Sequence, residues 1–346
     1  MNKRRNPFTS RALRSDALML LTAAIWGFAF VAQRSGMEYM GPFSFNGIRF
    51  LLGSLSLVPV VLIRRRGHKK IERKGPAQKN NFILYSLAAG TCLFLAATLQ
   101  QVGIMFTTAG NSGFITGLYV VLTPIFGIFL GRKTGIPTWI GAVLTLTGLY
   151  FLSAAGHGDA SHPWGSINPG DIITAIGAIF WAFHILVIDQ LAPRIDPIVL
   201  SAGQFLWCGL FSLIIALVIE PSMSGLAAHI DPGLIASGTF SWQSLPDLIA
   251  GLAAGKDSIL LSADALIPIL YSGFGSVGIA YTLQVVAQKD APPAHATIIL
   301  SLEGCFAAIG GVIILSEPLG PWTLLGFILM FSGMLATQWD VIRKPE

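Results

Sequence analysis

The feature that most constrains this chain is a series of ten apolar runs, each close to the length needed to cross a lipid bilayer. About 20 residues of α-helix span the roughly 30 Å of hydrocarbon in a membrane. Of the 346 residues, 53% are hydrophobic and only 11% are charged, whereas soluble proteins carry about 25% charged residues. The sequence therefore predicts an all-α integral membrane protein. The ten predicted transmembrane helices cover residues 16–34, 43–63, 82–103, 108–131, 136–154, 171–189, 198–219, 265–287, 294–316 and 321–339.

The basic residues are distributed unevenly between the loops that join these runs. If the N-terminus is cytoplasmic, the cytoplasmic segments hold 19 of the 22 Lys and Arg residues, and the outer loops hold only Arg34 and Lys256. Because Lys and Arg are enriched in cytoplasmic loops, this pattern predicts a multi-pass membrane protein with both termini cytoplasmic. The net charge of +5 thus reflects membrane orientation, and we expect no nucleic-acid partner.

The two halves of the chain resemble each other. Residue pairs 155 positions apart match in the early spans of each half, and pairs 185 positions apart match in the late spans. The matched pairs include Trp26 and Trp181, Pro42 and Pro197, Phe50 and Phe205, Gly141 and Gly326, and Gly148 and Gly333. Since the offset grows by about 30 between the two sets, an insertion follows the seventh span.

Each half holds five spans, and an odd number obliges the second copy to enter the membrane from the opposite face. The sequence thus predicts two inverted five-helix repeats, an arrangement typical of secondary transporters. The predicted organisation is a cytoplasmic tail (1–15), a first repeat (16–155), an outer linker (156–170), a second repeat (171–340) that contains an outer insertion (220–264), and a second cytoplasmic tail (341–346).

Short motifs in both halves resemble those of EamA-type transporters of the drug/metabolite transporter superfamily. They include Ala24-Ile25-Trp26-Gly27, Arg49-Phe50-Leu51-Leu52, Gly278-Ile279-Ala280-Tyr281, Ser301-Leu302-Glu303 and Glu317. The resemblance covers almost the whole chain. The chain departs from the family pattern at Gly304, where Pro is usual, and at Arg132-Lys133, where a Glu is usual.

The resemblance implies a secondary transporter of small metabolites, amino acids or related solutes, which lies in a bacterial inner membrane and works without ATP or another cofactor. We expect an exporter that operates by alternating access, in contact with membrane lipid, as a monomer or homodimer. The alternative is a membrane-embedded enzyme acting on a lipid-linked substrate.

Several motifs that an enzyme or ATPase would need do not occur in the chain. It contains no phosphate-binding Gly-x-x-x-x-Gly-Lys-Ser/Thr loop, no His-Glu-x-x-His motif and no Gly-x-Ser-x-Gly nucleophile. The three cysteines lie inside apolar runs with no His or acidic residue at ligand spacing, so we expect no metal site. Because Glu303 is the only acidic residue deep within a span, paired-carboxylate chemistry has no second partner, and we expect no enzymatic activity.

Polar and amphipathic side chains inside the spans are few, and each must pair, line a wet cavity or reach an interface. They form the predicted substrate-binding cavity. The candidates are Trp26, Arg49, Gln100, Asn111, Tyr119, Trp181, His184, Tyr281, Gln284 and Glu303.

Two of these candidates are charged, and each has a functional and a structural interpretation. Glu303, near the middle of span nine, either couples protons or binds a substrate amine, or it is a structural carboxylate hydrogen-bonded between helices. Arg49 either binds an anionic group through its planar guanidinium, or it snorkels outward or caps a neighbouring helix.

The uncharged candidates also leave alternatives open. Trp26 and Trp181, which are repeat mates too deep for the interfacial belt, either line the cavity with the two tyrosines or pack between helices. His184 either titrates near neutral pH or serves as a packing residue. Asn111, Gln100 and Gln284 offer amide groups to a substrate.

Overall fold

The computed structural model describes residues 10–67, 76–131, 135–153, 168–191, 195–220, 263–288, 299–337 and 339. All the regular structure in these ranges is helical. The helices are α1 (Ser10–Gly36), α2 (Pro42–Gly67), α3 (Pro76–Ile104), α4 (Ala109–Thr116), α5 (Tyr119–Gly127), α6 (Ile136–Ser153), α7 (Pro169–Leu191), α8 (Pro197–Ile219), α9 (Ala263–Leu270), α10 (Tyr281–Gln288), α11 (Glu303–Leu315) and α12 (Pro321–Thr337). A π-helical segment, Tyr271–Ala280, joins α9 to α10.

Eight helical stretches in the described ranges are long and apolar enough to cross a membrane. They correspond to the first eight predicted spans, with α4 and α5 forming the fourth and α9 to α10 forming the eighth. The regions predicted as spans nine and ten contain the shorter apolar helices Glu303–Leu315 and Pro321–Thr337. Large apolar side chains on the outer surface, such as Leu217 at 78% exposure, suit contact with lipid. Residues 156–167 of the predicted outer linker and nearly all of the insertion lie outside the described residues.

Glycines allow several pairs of helices to pack closely. A Cβ atom added to Gly141 of α6 would lie 2.5 Å from the Gly333 oxygen of α12, and one added to Gly148 would lie 2.7 Å from the Gly326 oxygen. Small residues at such contacts let transmembrane helices approach each other. The same kind of contact joins α1 to α11, where a Cβ atom on Gly27 would lie 2.6 Å from the main-chain carbonyl oxygen of Glu303.

The helices alternate in direction, so the bundle has two ends. The Pro42 end is where α2, α4, α7, α9 and α12 begin, and the Pro197 end is where α8 begins. Asp196 caps α8 by accepting a hydrogen bond from the Ile198 amide at 2.9 Å, and Pro197 occupies the first turn, where its missing N–H costs nothing. Thr108 caps α4 in the same manner through the Asn111 amide, at 3.0 Å.

Two membrane segments are interrupted near their middles. The fourth breaks at Gly117 and Leu118, between α4 and α5; Gly is a poor helix former because it loses the most backbone entropy on ordering. In the ninth, a turn at Ser301 and Leu302 precedes α11. Glu303 therefore begins a helix, whereas the apolar pattern predicts it within one continuous span.

Candidate functional site

A chain of amide and indole groups links α1, α3 and α7 in the interior of the bundle. Gln100 donates a hydrogen bond to the side-chain oxygen of Gln33 at 3.1 Å. The Trp181 indole N–H donates to the Gln100 oxygen at 2.8 Å. Both glutamines are at least 96% buried, so each offsets the cost of burying its polar groups by pairing with a neighbouring helix.

A second chain of contacts continues from α7 to α8 and α10. The ring of His184 lies 5.8 Å from that of Trp181 in an edge-to-face arrangement. His184 Nε2 lies 2.8 Å from the Gln204 oxygen, and the Gln204 amide donates to the Tyr281 hydroxyl at 3.3 Å. These contacts extend the polar layer into the last third of the chain.

The two chains close into a ring at α1. The ring of Tyr281 lies 6.5 Å from that of Trp26, whose indole N–H donates to the Ser276 carbonyl at 3.1 Å. Trp26 and Gln33 share α1, two turns apart. We call the ring the central belt, and it consists of Trp26, Gln33, Gln100, Trp181, His184, Gln204 and Tyr281.

Glu303 and Tyr119 form a separate pair beside the belt. The Tyr119 hydroxyl donates to Glu303 Oε1 at 3.3 Å, and in the described part of the chain it is the only hydrogen-bond partner of that carboxyl group. Glu303 is 5% exposed and stands in the first turn of α11. A carboxylate is favoured there because the helix dipole places partial positive charge at a helix N-terminus.

Arg49 lies inside the bundle, seven residues beyond the start of α2. It is 4% exposed, and its guanidinium carbon lies 4.7 Å from the ring centroid of Phe50 and 6.0 Å from that of Phe45. Phe50 in turn packs on Phe205, with ring centroids 5.9 Å apart. A side chain held among these rings does not reach the end of the helix, which disfavours the snorkelling interpretation.

Two sequence candidates lie apart from the belt. Asn111 is buried in the first turn of α4 at the Pro42 end. Gln284 is half-buried on α10, one turn beyond Tyr281. Neither side chain is hydrogen-bonded to the belt within the described ranges. Conversely, the belt includes Gln33 and Gln204, which were not among the sequence candidates. The sequence repeat pairs Gln204 with Arg49.

Two carboxylates that sequence reasoning did not assign to the site hold the Pro42 end together. Glu220, which follows α8, accepts hydrogen bonds from the Phe43 amide at 2.6 Å and from the Ser44 amide and hydroxyl. Burial raises the pKa of this carboxyl group, and the hydrogen bonds from Ser44 and Phe43 oppose that rise. The interaction fastens the beginning of α2 to the end of α8.

Glu317, just beyond α11, fastens the beginning of α4 to the end of α11. Its carboxylate accepts hydrogen bonds from the amides of Ala109 at 2.6 Å and Gly110 at 3.2 Å. Burial raises its pKa, opposed by these two amides and by the charge of Arg34. An acid at a helix N-terminus satisfies amide groups that have no partner within the helix.

Apolar packing also differs between the two ends. At the Pro42 end, one cluster joins residues of α1, α2, α3, α4, α9 and α11, including Phe30, Phe45, Ile104 and Ile269. Towards the Pro197 end, the apolar contacts fall into separate clusters. These are Met19 with Ala287 and Leu300, Ala89 with Leu191 and Leu200, and Val120 and Val121 with Ala142 and Met334. Among the residues that the structure describes, packing is therefore more continuous at the Pro42 end.

An apolar groove of about 460 Å³ lies between α11 and α12. Its lining consists of apolar residues only, and it opens on the outer surface of the bundle at Ile313 and Ile328, which are 72% and 55% exposed. Without polar groups to orient a solute, the groove suits contact with lipid chains rather than metabolite binding. Within the described ranges, no group of three His, Cys, Asp or Glu residues is arranged to hold a metal ion.

Apolar helices of spanning length around a buried polar belt define a multi-pass membrane protein whose interior can accommodate polar groups. The EamA-like transporter family model matches residues 13–154 and 168–338. The chain belongs to the EamA-like transporter family, as its motifs indicate.

Relatives of this chain include proteins named as transporters. An uncharacterized transporter of Archaeoglobus fulgidus is 27% identical over 94% of this chain and 86% of its own length. The uncharacterized inner membrane transporter YedA of Escherichia coli is 29% identical over 58% of this chain and 63% of its own length. The uncharacterized transporter YvbV of Bacillus subtilis is also 29% identical, over 58% of this chain and 62% of its own length.

A solved crystal structure has the same fold. It covers 95% of this chain and 98% of its own, with a TM-score of 0.58 at 16% sequence identity. The chain is thus a membrane transporter by family.

Proposed function

We propose that this protein is a secondary transporter that moves small metabolites, amino acids or related solutes, across a bacterial inner membrane by alternating access, acting as an exporter with both termini cytoplasmic. Its ten spans would form two inverted five-helix repeats. The observation that carries the proposal is the central belt, because its residues come from both halves of the chain and lie between a tightly packed end and an end with divided packing. A solute bound there would become accessible from either side as the halves rock.

Contacts between repeat mates support the inversion. Phe50 and Phe205, which the sequence repeat equates, touch each other across α2 and α8. Gly141 contacts Gly333. Because the sequence repeat equates Gly141 with Gly326 and Gly333 with Gly148, the equivalent contact is the one between Gly326 and Gly148, which is also present. Contacts that exchange in this manner are those expected of two halves related by a two-fold axis in the membrane plane.

The packing at the Pro42 end supports alternating access. Glu220 and Glu317 belong to the second half, and each binds the beginning of a first-half helix. Separation of the halves at that end would break these contacts. At Gly117 and Leu118 the backbone keeps right-handed helical dihedral angles but tightens its hydrogen bonding, and a second turn precedes Glu303. Transporters tolerate such irregular backbone where it is shielded by protein or lines a cavity.

Solute counterflow tests the proposal. Purified protein in sealed proteoliposomes would be loaded with an unlabelled solute and supplied outside with a trace of the same labelled solute, across a panel of amino acids, monocarboxylates, amines and nucleosides. We expect transient accumulation of label for at least one solute, and its loss in Gln204→Leu, which breaks the belt. Chemical turnover of a lipid-linked substrate, with no counterflow for any solute, would instead identify a membrane enzyme.

A further inference from the structure

The strongest unused feature of the interior is the isolation of Arg49. Its Nε atom is buried without a hydrogen-bond partner, and no carboxylate pairs with its guanidinium in the described part of the chain. The guanidinium lies over the faces of Phe50 and Phe45 and within electrostatic reach of Cys208 on α8. Aromatic faces attract a cation, but they do not accept the five N–H hydrogen bonds that a guanidinium offers.

Such an arrangement is costly unless another group completes it. A buried charge is normally paired or hydrogen-bonded, and an intramembrane Arg is usually found facing a partner or a wet cavity. Arg49 stands about 10 Å into α2 by the 1.5 Å rise per residue, and a water-exposed end is therefore not its partner. The missing partner is best supplied by a ligand.

The position of Arg49 connects it to the central belt. Phe50, on which the guanidinium lies, packs against Phe205, and the Phe205 ring lies 5.1 Å from that of Tyr281, a belt residue. Phe205 also follows Gln204 directly in α8. A solute that reaches the belt therefore lies near the guanidinium, with aromatic and apolar surfaces around it.

The charge available identifies the kind of anion. Among the described basic residues, all others lie within the first or last five residues of a helix. A single deep guanidinium matches the planar, monovalent carboxylate through two parallel N–H···O bonds. A phosphate dianion would require further cations nearby.

We propose that Arg49 is the anion-binding residue of the transport site and that the transported solute carries a carboxylate beside an apolar group. This assignment rests on the proposed transport function. Arg49 binds the carboxylate, and the rings of Phe50 and Phe205 contact the apolar part. The rings of Phe50 and Phe45 hold the guanidinium in place.

Matched pairs of ligands test the assignment. Purified protein would be titrated with phenylalanine, 3-phenylpropionate and isovalerate, and with the carboxamide of each, while the fluorescence of the belt tryptophans and the thermal unfolding midpoint are followed. We expect at least one carboxylate to bind while its amide does not. Arg49→Gln should reduce the affinity about 100-fold, and Arg49→Lys, which keeps the charge but not the fork, about 10-fold.

Arg14→Gln is the matched control, since Arg14 is exposed at the start of α1 and its loss should leave carboxylate affinity unchanged. Both Arg49 variants must elute as monodisperse protein in size-exclusion chromatography. If Arg49→Gln does not fold, Arg49→Lys still tests the assignment, because it keeps the positive charge. Three results would each overturn the assignment: equal binding of an acid and its amide, full affinity in Arg49→Gln, or binding of no carboxylate. Counterflow separates the two proposals, because transport of neutral solutes would refute only the role of Arg49, whereas carboxylate binding without counterflow would refute only transport.

Discussion

Tyr119 and Glu303 join two interrupted membrane segments, one from each half of the chain. The Tyr119 hydroxyl, at the first residue of α5, lies 3.3 Å from a carboxyl oxygen of Glu303, at the first residue of α11. The two residues are 184 positions apart, one less than the offset that relates the late spans of the repeats. Each stands where a helix restarts inside the bundle, and a movement of one half against the other would strain this bond.

Glu303→Gln distinguishes three roles for this carboxyl group. If Glu303 couples protons, the Gln variant, which imitates the protonated form, should lose accumulation driven by a pH gradient but keep solute exchange. If Glu303 binds a substrate amine, exchange and driven transport should fall together. A structural Glu303 predicts normal driven transport in the Gln variant and loss of folded protein in Glu303→Ala. Measuring both assays in proteoliposomes separates these results.

Tyr119→Phe provides the companion test. It removes only the hydroxyl that donates to Glu303, and we expect the free energy of unfolding to fall by about 1 kcal/mol. Glu303→Gln keeps an oxygen that can accept this hydrogen bond but removes the charge that strengthens it. In the double variant the loss should therefore be smaller than the sum of the two single effects, because both changes act on one bond. Additive effects in thermal unfolding of the purified proteins would argue that the bond contributes little.

The pH dependence of closure at the Pro42 end follows from Glu317. Burial raises the pKa of its carboxyl group in the packed arrangement, despite the opposing charge of Arg34, which also faces Glu38. The Glu317 carboxylate therefore binds a proton more tightly when the Pro42 end is closed than when it is open. Closure should strengthen as the pH falls, and it should weaken as the pH rises through the raised pKa.

Labelling of a single cysteine measures this closure. Met37 is 4% exposed at the Pro42 end, so Met37→Cys, in a background without the three native cysteines, would react with a membrane-impermeant maleimide only when that end opens. The rate, normalised to that of denatured protein, should decrease from about pH 8 to about pH 5. In Glu317→Gln the pH dependence should weaken, and the part that remains is expected from Glu220, whose pKa burial also raises. An unchanged profile would show that Glu317 does not contribute.

The α6–α12 contact predicts a pronounced difference between two glycines. A Cβ atom in Gly141→Ala would lie 2.5 Å from the Gly333 oxygen, which cannot move without the helix. We expect a loss of about 1–3 kcal/mol in the free energy of unfolding. Gly275→Ala is the control, because its nearest atom lies at an ordinary 3.7 Å. Equal stabilities in thermal unfolding would mean that α6 and α12 are not closely packed.

The sequence predicts the helical class and eight of the long spans because apolar runs of membrane length leave few other folds. It does not predict the break before Glu303, since Ser301 and Leu302 include neither Gly nor Pro to mark a turn. The polar candidates Gln100, Trp181, His184 and Tyr281 prove to be neighbours, because polar side chains in a bundle must find one another. Gln33 was not predicted because it stands beside Arg34 at the end of the predicted first span, where polar side chains are ordinary.

The carboxylates at the Pro42 end could not be predicted for a different reason. Glu220 and Glu317 lie at the ends of apolar runs, where charged residues are ordinary and have no need of a partner. Only the fold brings Glu220 to Ser44, 176 residues earlier in the chain, and Glu317 to Ala109, 208 residues earlier. Long-range pairing of this kind leaves no local pattern.

Alternating access requires that the Pro42 end opens, and a reversible cross-link tests that requirement most directly. Gly41 lies against the Glu220 side chain, and Gly41→Cys with Glu220→Cys would be joined by a short bifunctional methanethiosulfonate in the background without native cysteines. Solute counterflow should fall to the level of empty liposomes after cross-linking and return after reduction, while each single-cysteine variant keeps its activity after the same treatment. Undiminished counterflow in fully cross-linked protein would contradict transport by opening of the Pro42 end.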